Sequence, residues 1–105
     1  MRILEVTDEK ILFDNGKAIT YYHSKDCCEN NYADFEQLEE AALEYDFNDE
    51  LRFEFVDNAG FRFGDERLMF FVPCYSDQNG YYSTGVEILY DEEVVLRGLC
   101  KEAFY

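Results

Sequence analysis

The chain has 105 residues, 24 acidic and 9 basic side chains, a formal net charge of −15 and 48% hydrophobic residues. Self-repulsion at that charge opposes collapse, but 10 Phe and 9 Tyr supply enough large apolar surface to offset the entropy of ordering. The sequence therefore reads as a single folded domain, 1–105, and the scattered basic residues exclude a phosphate-gripping patch and direct nucleic-acid binding. No apolar run approaches the roughly 18 residues of a membrane span, and Glu5 interrupts what a leader peptide would continue as an apolar stretch. The expectation is a cytoplasmic protein without membrane contact, with Cys27, Cys28, Cys74 and Cys100 as reduced thiols.

In chain order, residues 2–6 form a short apolar run, and 10–14 with 17–22 flank Asn15-Gly16, a strong hairpin signal because both residue types accept positive φ. A two-residue loop there pairs Leu12 with Ile19 and Phe13 with Ala18. The period changes at Asp34. Phe35, Leu38, Ala42 and Tyr45 recur at three- and four-residue spacing and predict one helix over 35–45, with Asp34 and Gln37 as a capping box. Glu36, Glu40 and Glu44 then form one exposed acidic stripe, at a cost of only about 0.2–0.5 kcal/mol per like-charge pair.

Beyond the helix the pattern is strand again. Phe53 and Phe55 alternate with charged residues, as do Phe61 and Phe63. A three-residue loop Asn58-Ala59-Gly60 would pair Phe55 with Phe63 and put Gly60 in the left-handed position. The continuous apolar run 68–74 predicts a central strand covered on both faces. A turn at 77–80 leads to a strand over 81–90, and Asp91-Glu92-Glu93 turns into a last strand over 94–99. The fold class expected is α+β: a mostly antiparallel meander of about seven or eight short strands with one helix packed on it.

Charge is unevenly placed. From Asp26 to Leu51 there are ten acids and no Lys or Arg. Such a face either solubilises the protein or meets a basic partner surface, as a nucleic-acid mimic does. One cluster carries reactive chemistry: His23-Ser24-Lys25-Asp26-Cys27-Cys28-Glu29 holds the single histidine, two thiols and two carboxylates. Zinc could draw on His23, Cys27 and Cys28, with Cys74 or Cys100, but there is no paired C-x-x-C knuckle and adjacent cysteines make awkward ligands. A cysteine nucleophile activated by His23 lacks a recognisable oxyanion device. The third reading is a structural loop. Asp46-Phe47-Asn48 opens like a calcium loop, but Leu51 stands where its sharp turn needs glycine.

Two segments together carry a resemblance. His23-x-x-Asp26-Cys27-Cys28-Glu29-x-x-Tyr32 before an acidic helix, and Asn79-Gly80-Tyr81-Tyr82-Ser83-x-Gly85-Val86 late in the chain, resemble a small uncharacterised family of bacteria and their phages with an H-x-x-D-C-C-E segment and an N-G-Y-Y-S hairpin. The resemblance implies a fold and a phage or mobile-element setting but no reaction. It marks His23, Asp26, Cys27, Cys28, Glu29, Tyr81 and Tyr82 as a shared motif of open role. The sequence thus favours a non-enzymatic interaction or accessory protein with no cofactor and an unidentified, basic protein partner. The alternative is a metal- or thiol-dependent site at residues 23–29. Unpaired sheet edges leave the oligomeric state open.

Overall fold

The computed structural model describes residues 1–22, 31–56, 58–77 and 85–103. In chain order the elements are β1 (Ile3–Val6), β2 (Ile11–Phe13), β3 (Ala18–Tyr22), β4 (Asn31–Ala33), a 3-10 turn (Phe35–Gln37), α1 (Glu40–Glu44), β5 (Arg52–Val56), β6 (Gly60–Gly64), β7 (Met69–Asp77), β8 (Gly85–Tyr90), β9 (Glu93–Leu99) and β10 (Lys101–Ala103). One sheet runs β1-β2-β3-β8-β9; the other runs β10-β7-β6-β5, with β4 also paired to β7. Described pairings are antiparallel except β10 on β7, which is parallel. The expected mostly antiparallel strands with one helix hold, but the α+β label fits only loosely: the fold is mostly β, in two sheets, with a single short α-helix among the described residues.

One buried cluster joins the two sheets. Ile11, Phe13 and Ile19 come from the first sheet and Phe61, Phe63, Phe70 and Val72 from the second. Rings meet edge to face across the interface, Phe13 against Phe63 at 6.2 Å, a geometry the aromatic quadrupole favours. Phe47 comes from no regular element, yet its ring sits 5.8 Å from Phe13, 5.6 Å from Phe63 and 5.7 Å from Phe70.

The first hairpin corrects the expected register. Ile11 pairs with Ile19 and Leu12 with Ala18. The Phe13 N–H donates to Lys17 O and the Gly16 N–H to Phe13 O, so the loop holds three residues, Asp14, Asn15 and Gly16. Only Gly16 among them has positive φ, at 84°, as a three-residue loop with a glycine bulge requires. The physical reason is burial. Directly opposite residues share a face, and this register puts Ile11, Phe13 and Ile19, all fully buried, on the same one. The two-residue turn with positive φ at both positions occurs instead at Asp91 (53°) and Glu92 (67°), between β8 and β9.

The phenylalanine hairpin also shifts, by two residues. Phe53 pairs with Phe63 and Phe55 with Phe61, and Asn58 rather than Gly60 takes the left-handed conformation, with φ 63°. A two-residue shift preserves the face, so the four rings still point to one side. Gly60 is required by crowding: a Cβ there would lie 2.1 Å from Val72 O. β7 is central in its sheet but is not covered on both faces. Phe70, Val72, Cys74 and Ser76 are buried, whereas Phe71 is 40% exposed and Leu68 lies outside the strand and is exposed. Pro73, which has no ladder donor, stands where β7 exchanges β6 for β4 and β10.

The predicted helix over 35–45 is broken. Leu38 (ψ 136°) and Glu39 (ψ 140°) are extended, leaving the 3-10 turn on one side and α1 on the other. Asp34 caps no backbone N–H; its carboxylate instead accepts from the Gln37 side chain at 2.6 Å. Glu36 thus lies on the 3-10 turn and Glu40 and Glu44 on α1, so the three do not form a stripe along one helix, although all are exposed. Phe35 and Ala42 are both fully buried, one from each turn.

Candidate functional site

His23, Asp26, Cys27, Cys28, Glu29, Tyr81 and Tyr82 lie outside the described residues, as does the expected turn through Gln78, Asn79 and Gly80. The strand ends that flank these segments are described, and they adjoin. Tyr22 pairs with Glu87 across β3 and β8, and Asn31 pairs with Ser76 across β4 and β7. A buried polar junction ties them: the Ser76 hydroxyl donates to Asn31 Oδ1 at 2.5 Å, and Asn31 Nδ2 donates to Gly85 O at 2.9 Å. Asn31 and Ser76 are two of three buried polar or charged side chains among the described residues. Amide and hydroxyl satisfy each other there, which makes the burial affordable.

The acidic surface is built on the 3-10 turn, α1 and the segment after it. Glu36, Glu39, Glu40, Glu44, Asp49 and Glu50 are exposed and take part in no ion pair among the described residues. The N-terminal ammonium meets Asp46 beside them at 3.0 Å, but five basic side chains are engaged elsewhere. Lys17 pairs with Asp91, Arg52 with Glu66, Arg62 with Glu54, Arg67 with Asp65 and Arg97 with Glu87. Even where guanidinium groups approach the acidic segment they bind its backbone: Arg2 donates to Glu44 O and Arg67 to Asp46 O.

A cleft of about 260 Å³ opens at the seam of β3 and β4, lined by Asp8, Tyr21, Tyr32, Ala33 and Asp34 among the described residues. Thr7 Oγ1 accepts the N–H groups of Glu9 and Lys10, fixing the turn that carries Asp8. Asp34 is set by its N–H donating to Pro73 O at 2.8 Å. The Tyr21 ring leans on Phe35 at 5.8 Å, and the Tyr32 ring on Tyr75 at 5.8 Å. Burial, then the nearby carboxylates of Asp8 and Glu9, push the Tyr21 hydroxyl above its ordinary pKa. Sequence reasoning missed this cleft, because its residues come from three separate segments, and Tyr32 and Asp34 were singled out only for the shared motif and the capping box.

Two other buried groups stand apart from the cleft: Asp65, which the sequence did not single out, and the thiols of Cys74 and Cys100, which it expected to be reduced. Asp65, in the β6–β7 loop, accepts from the Tyr45 hydroxyl, from the N–H groups of Asn48, Arg67 and Leu68, and from Arg67 Nη2, at 2.9–3.2 Å. Burial pushes its carboxyl up, but those donors outweigh it and hold the group well below the usual carboxylate range. The signal available was Asp at the head of a short loop, a position that favours bonds to backbone N–H groups just ahead. Cys74 and Cys100 are free, fully buried thiols. The Cys100 thiol bonded to it, then burial, push the Cys74 thiol far above its ordinary pKa, which makes it a packing group and not a nucleophile.

Among the described residues no group of three or more His, Cys, Asp or Glu is placed to hold a metal ion, and no helix is long and apolar enough to cross a membrane. No curated protein and no solved structure matches the chain. Residues 1–88 match a family model described as a domain of unknown function, DUF7448, which ends within β8 and leaves β9 and β10 beyond it. With that match extending over most of its length, the chain belongs to the DUF7448 family.

Proposed function

We propose that this chain is a non-enzymatic interaction protein of a phage or mobile element, acting in the cytoplasm through its acidic surface on a basic surface of a partner protein. The observation that carries the reading is the segregation of charge: Glu36, Glu39, Glu40, Glu44, Asp49 and Glu50 stand exposed without ion pairs among the described residues, with Asp46 beside them meeting the N-terminal ammonium, while Arg52, Arg62, Arg67 and Arg97 neutralise acids elsewhere. Unpaired surface charge of one sign raises association rates with an oppositely charged partner. Density bears on whether that partner is a nucleic-acid-binding groove. Over 6384 Å² of surface the net charge averages roughly one per 400 Å², against about one per 100 Å² on duplex DNA. Only local concentration narrows that gap, and residues 36–50 provide it.

The test is affinity capture from a bacterial lysate at low salt, with wild type and a Glu36→Gln/Glu40→Gln/Glu44→Gln variant side by side. Nucleic-acid-binding proteins should bind the wild type, elute well below 1 M salt as screening shortens the Debye length to about 3 Å, and be lost from the variant. Binders that persist at 1 M salt, or that the variant retains in full, would refute the reading.

A further inference from the structure

We propose that the cleft at the seam of β3 and β4 receives an arginine side chain of a partner protein, held between the carboxylates of Asp8 and Asp34 and the rings of Tyr21 and Tyr32. The inference rests on the proposed engagement of a basic partner and locates a specific contact outside the broad acidic surface.

Size is the first argument. At about 260 Å³ the cleft falls below the roughly 300–1,000 Å³ of pockets that enclose drug-sized ligands, and it suits a single side chain. Composition is the second. Two carboxylates with two aromatic rings, and no basic residue among the described lining residues, form a surface for a cation. Neither Asp8 nor Asp34 has an ion-pair partner among the described residues, and the carboxylate of Asp34 is bonded only by the neutral amide of Gln37. Asp8 is exposed, and its carboxylate receives no hydrogen bond among the described residues.

The choice of arginine over lysine follows from shape. A guanidinium is planar and weakly hydrated, forks onto carboxylates and stacks on aromatic faces, so it uses both kinds of lining at once. An ammonium is compact and strongly hydrated and would use only the carboxylates. The backbone and rings of the site are also held before anything binds. The Asp8 turn is held by Thr7, Asp34 is fixed to Pro73, and both tyrosine rings rest on other rings. A preorganised receptor loses little entropy when a side chain enters.

The test is titration of the full chain, followed by backbone amide NMR shifts, with an arginine-rich nonapeptide, its lysine counterpart and N-acetyl-arginine amide. The arginine peptide should bind at least tenfold more tightly than the lysine peptide and shift the amides of Tyr21, Tyr32 and Asp34. Asp8→Asn/Asp34→Asn should weaken it at least tenfold. Glu40→Gln/Glu44→Gln, which removes the same charge, should weaken it no more than about threefold. Should the double variant fold poorly, Asp8→Asn alone, at an exposed carboxylate without a bond, should still cost at least threefold. Equal affinity for both peptides, or equal loss from the two double variants, would overturn the cleft and leave only diffuse charge. N-acetyl-arginine amide binding as tightly as the peptide would overturn the assignment to a partner protein. Loss on Glu40→Gln/Glu44→Gln alone would sink the cleft while sparing the proposed function, whereas an arginine peptide that does not bind the wild type at all would sink both.

Discussion

Replacing Asp65 by asparagine keeps the side chain's shape and removes its charge. In the wild type the two carboxylate oxygens divide their donors: Oδ1 takes the N–H groups of Arg67 and Leu68, Oδ2 takes the Asn48 N–H and Arg67 Nη2, and the Tyr45 hydroxyl lies within reach of both. An amide has one accepting oxygen. Whichever way it turns, its NH2 faces two donors that had been satisfied, either the pair on the β6–β7 loop or the pair from Asn48 and the guanidinium. A buried donor left without an acceptor costs about 1–3 kcal/mol. The Arg67 side chain is 62% exposed and regains water, so we expect a loss of about 2–4 kcal/mol rather than the full sum. That is a large part of the roughly 5–15 kcal/mol by which domains are stable.

Urea unfolding at pH 7 measures it, with an unchanged m-value as the sign that only stability has moved. The pH dependence supplies an independent check. Asp65 has a folded-state pKa held below its unfolded value, so its contribution is complete above the ordinary carboxyl pKa of about 3.9 and is lost as pH falls through the window beneath. The gap between wild type and Asp65→Asn should hold from pH 7 to pH 5 and narrow from about pH 4 downward. Using the gap cancels the titration of the other carboxylates, which both proteins share. A difference under 1 kcal/mol at pH 7, or one that stays constant down to pH 2.5, would refute the assignment of Asp65 as the charged hub of this region.

Three further substitutions probe the fold. Glu92→Gly should stabilise the protein by about 0.5–1 kcal/mol, because it relieves a side chain at φ 67° while adding only glycine's backbone entropy to the unfolded chain; thermal melts that move downward would count against the turn geometry. Gly60→Ala should cost at least about 2 kcal/mol by urea unfolding, since its Cβ meets backbone oxygen at 2.1 Å and not a side chain that can swing away; a neutral result would show the β6–β7 approach to be looser. Ser76→Ala removes the hydroxyl that donates to buried Asn31 and should cost about 1–2 kcal/mol in the same assay. Buried and with its thiol pKa raised by the Cys100 thiol and by burial, Cys74 should resist iodoacetamide until the protein unfolds; peptide mapping that finds it alkylated in the native state would contradict the burial.

How far the fold was legible follows from which signals are local. Strand positions were readable because alternation at Phe53, Phe55, Phe61 and Phe63 is a property of each segment alone, and a two-residue error in pairing left the buried face intact. The first hairpin shows the limit. Asn15-Gly16 favours a two-residue turn locally, but a register that buries Ile11, Phe13 and Ile19 together outweighs that preference, and burial is fixed by the whole sheet. The helix failed for a similar reason. Phe35, Leu38, Ala42 and Tyr45 fit a helical period, yet fewer than twelve residues make a marginal helix, and the chain is extended at Leu38 and Glu39 between two short turns that each bury one residue, Phe35 and Ala42. The cleft was illegible, because Asp8, Tyr21 and Asp34 converge only once the two sheets are in place.

The acidity that dominates the composition is reconciled with folding by position. Asp65 is the one buried acid among the described residues, and it is bonded by five donor groups. Glu54, Glu66, Glu87 and Asp91 each face a Lys or Arg, in pairs where attraction offsets part of the repulsion between neighbouring acids. Such exposed pairs are worth only about 0–1 kcal/mol each, so placing the cations there contributes little that the fold needs. The same cations placed opposite Glu36, Glu40 and Glu44 would contribute as much and would also lower the self-repulsion of the most acidic stretch. Stability alone therefore does not account for leaving Glu36, Glu40 and Glu44 without ion pairs among the described residues, and the proposed basic partner rests on that asymmetry.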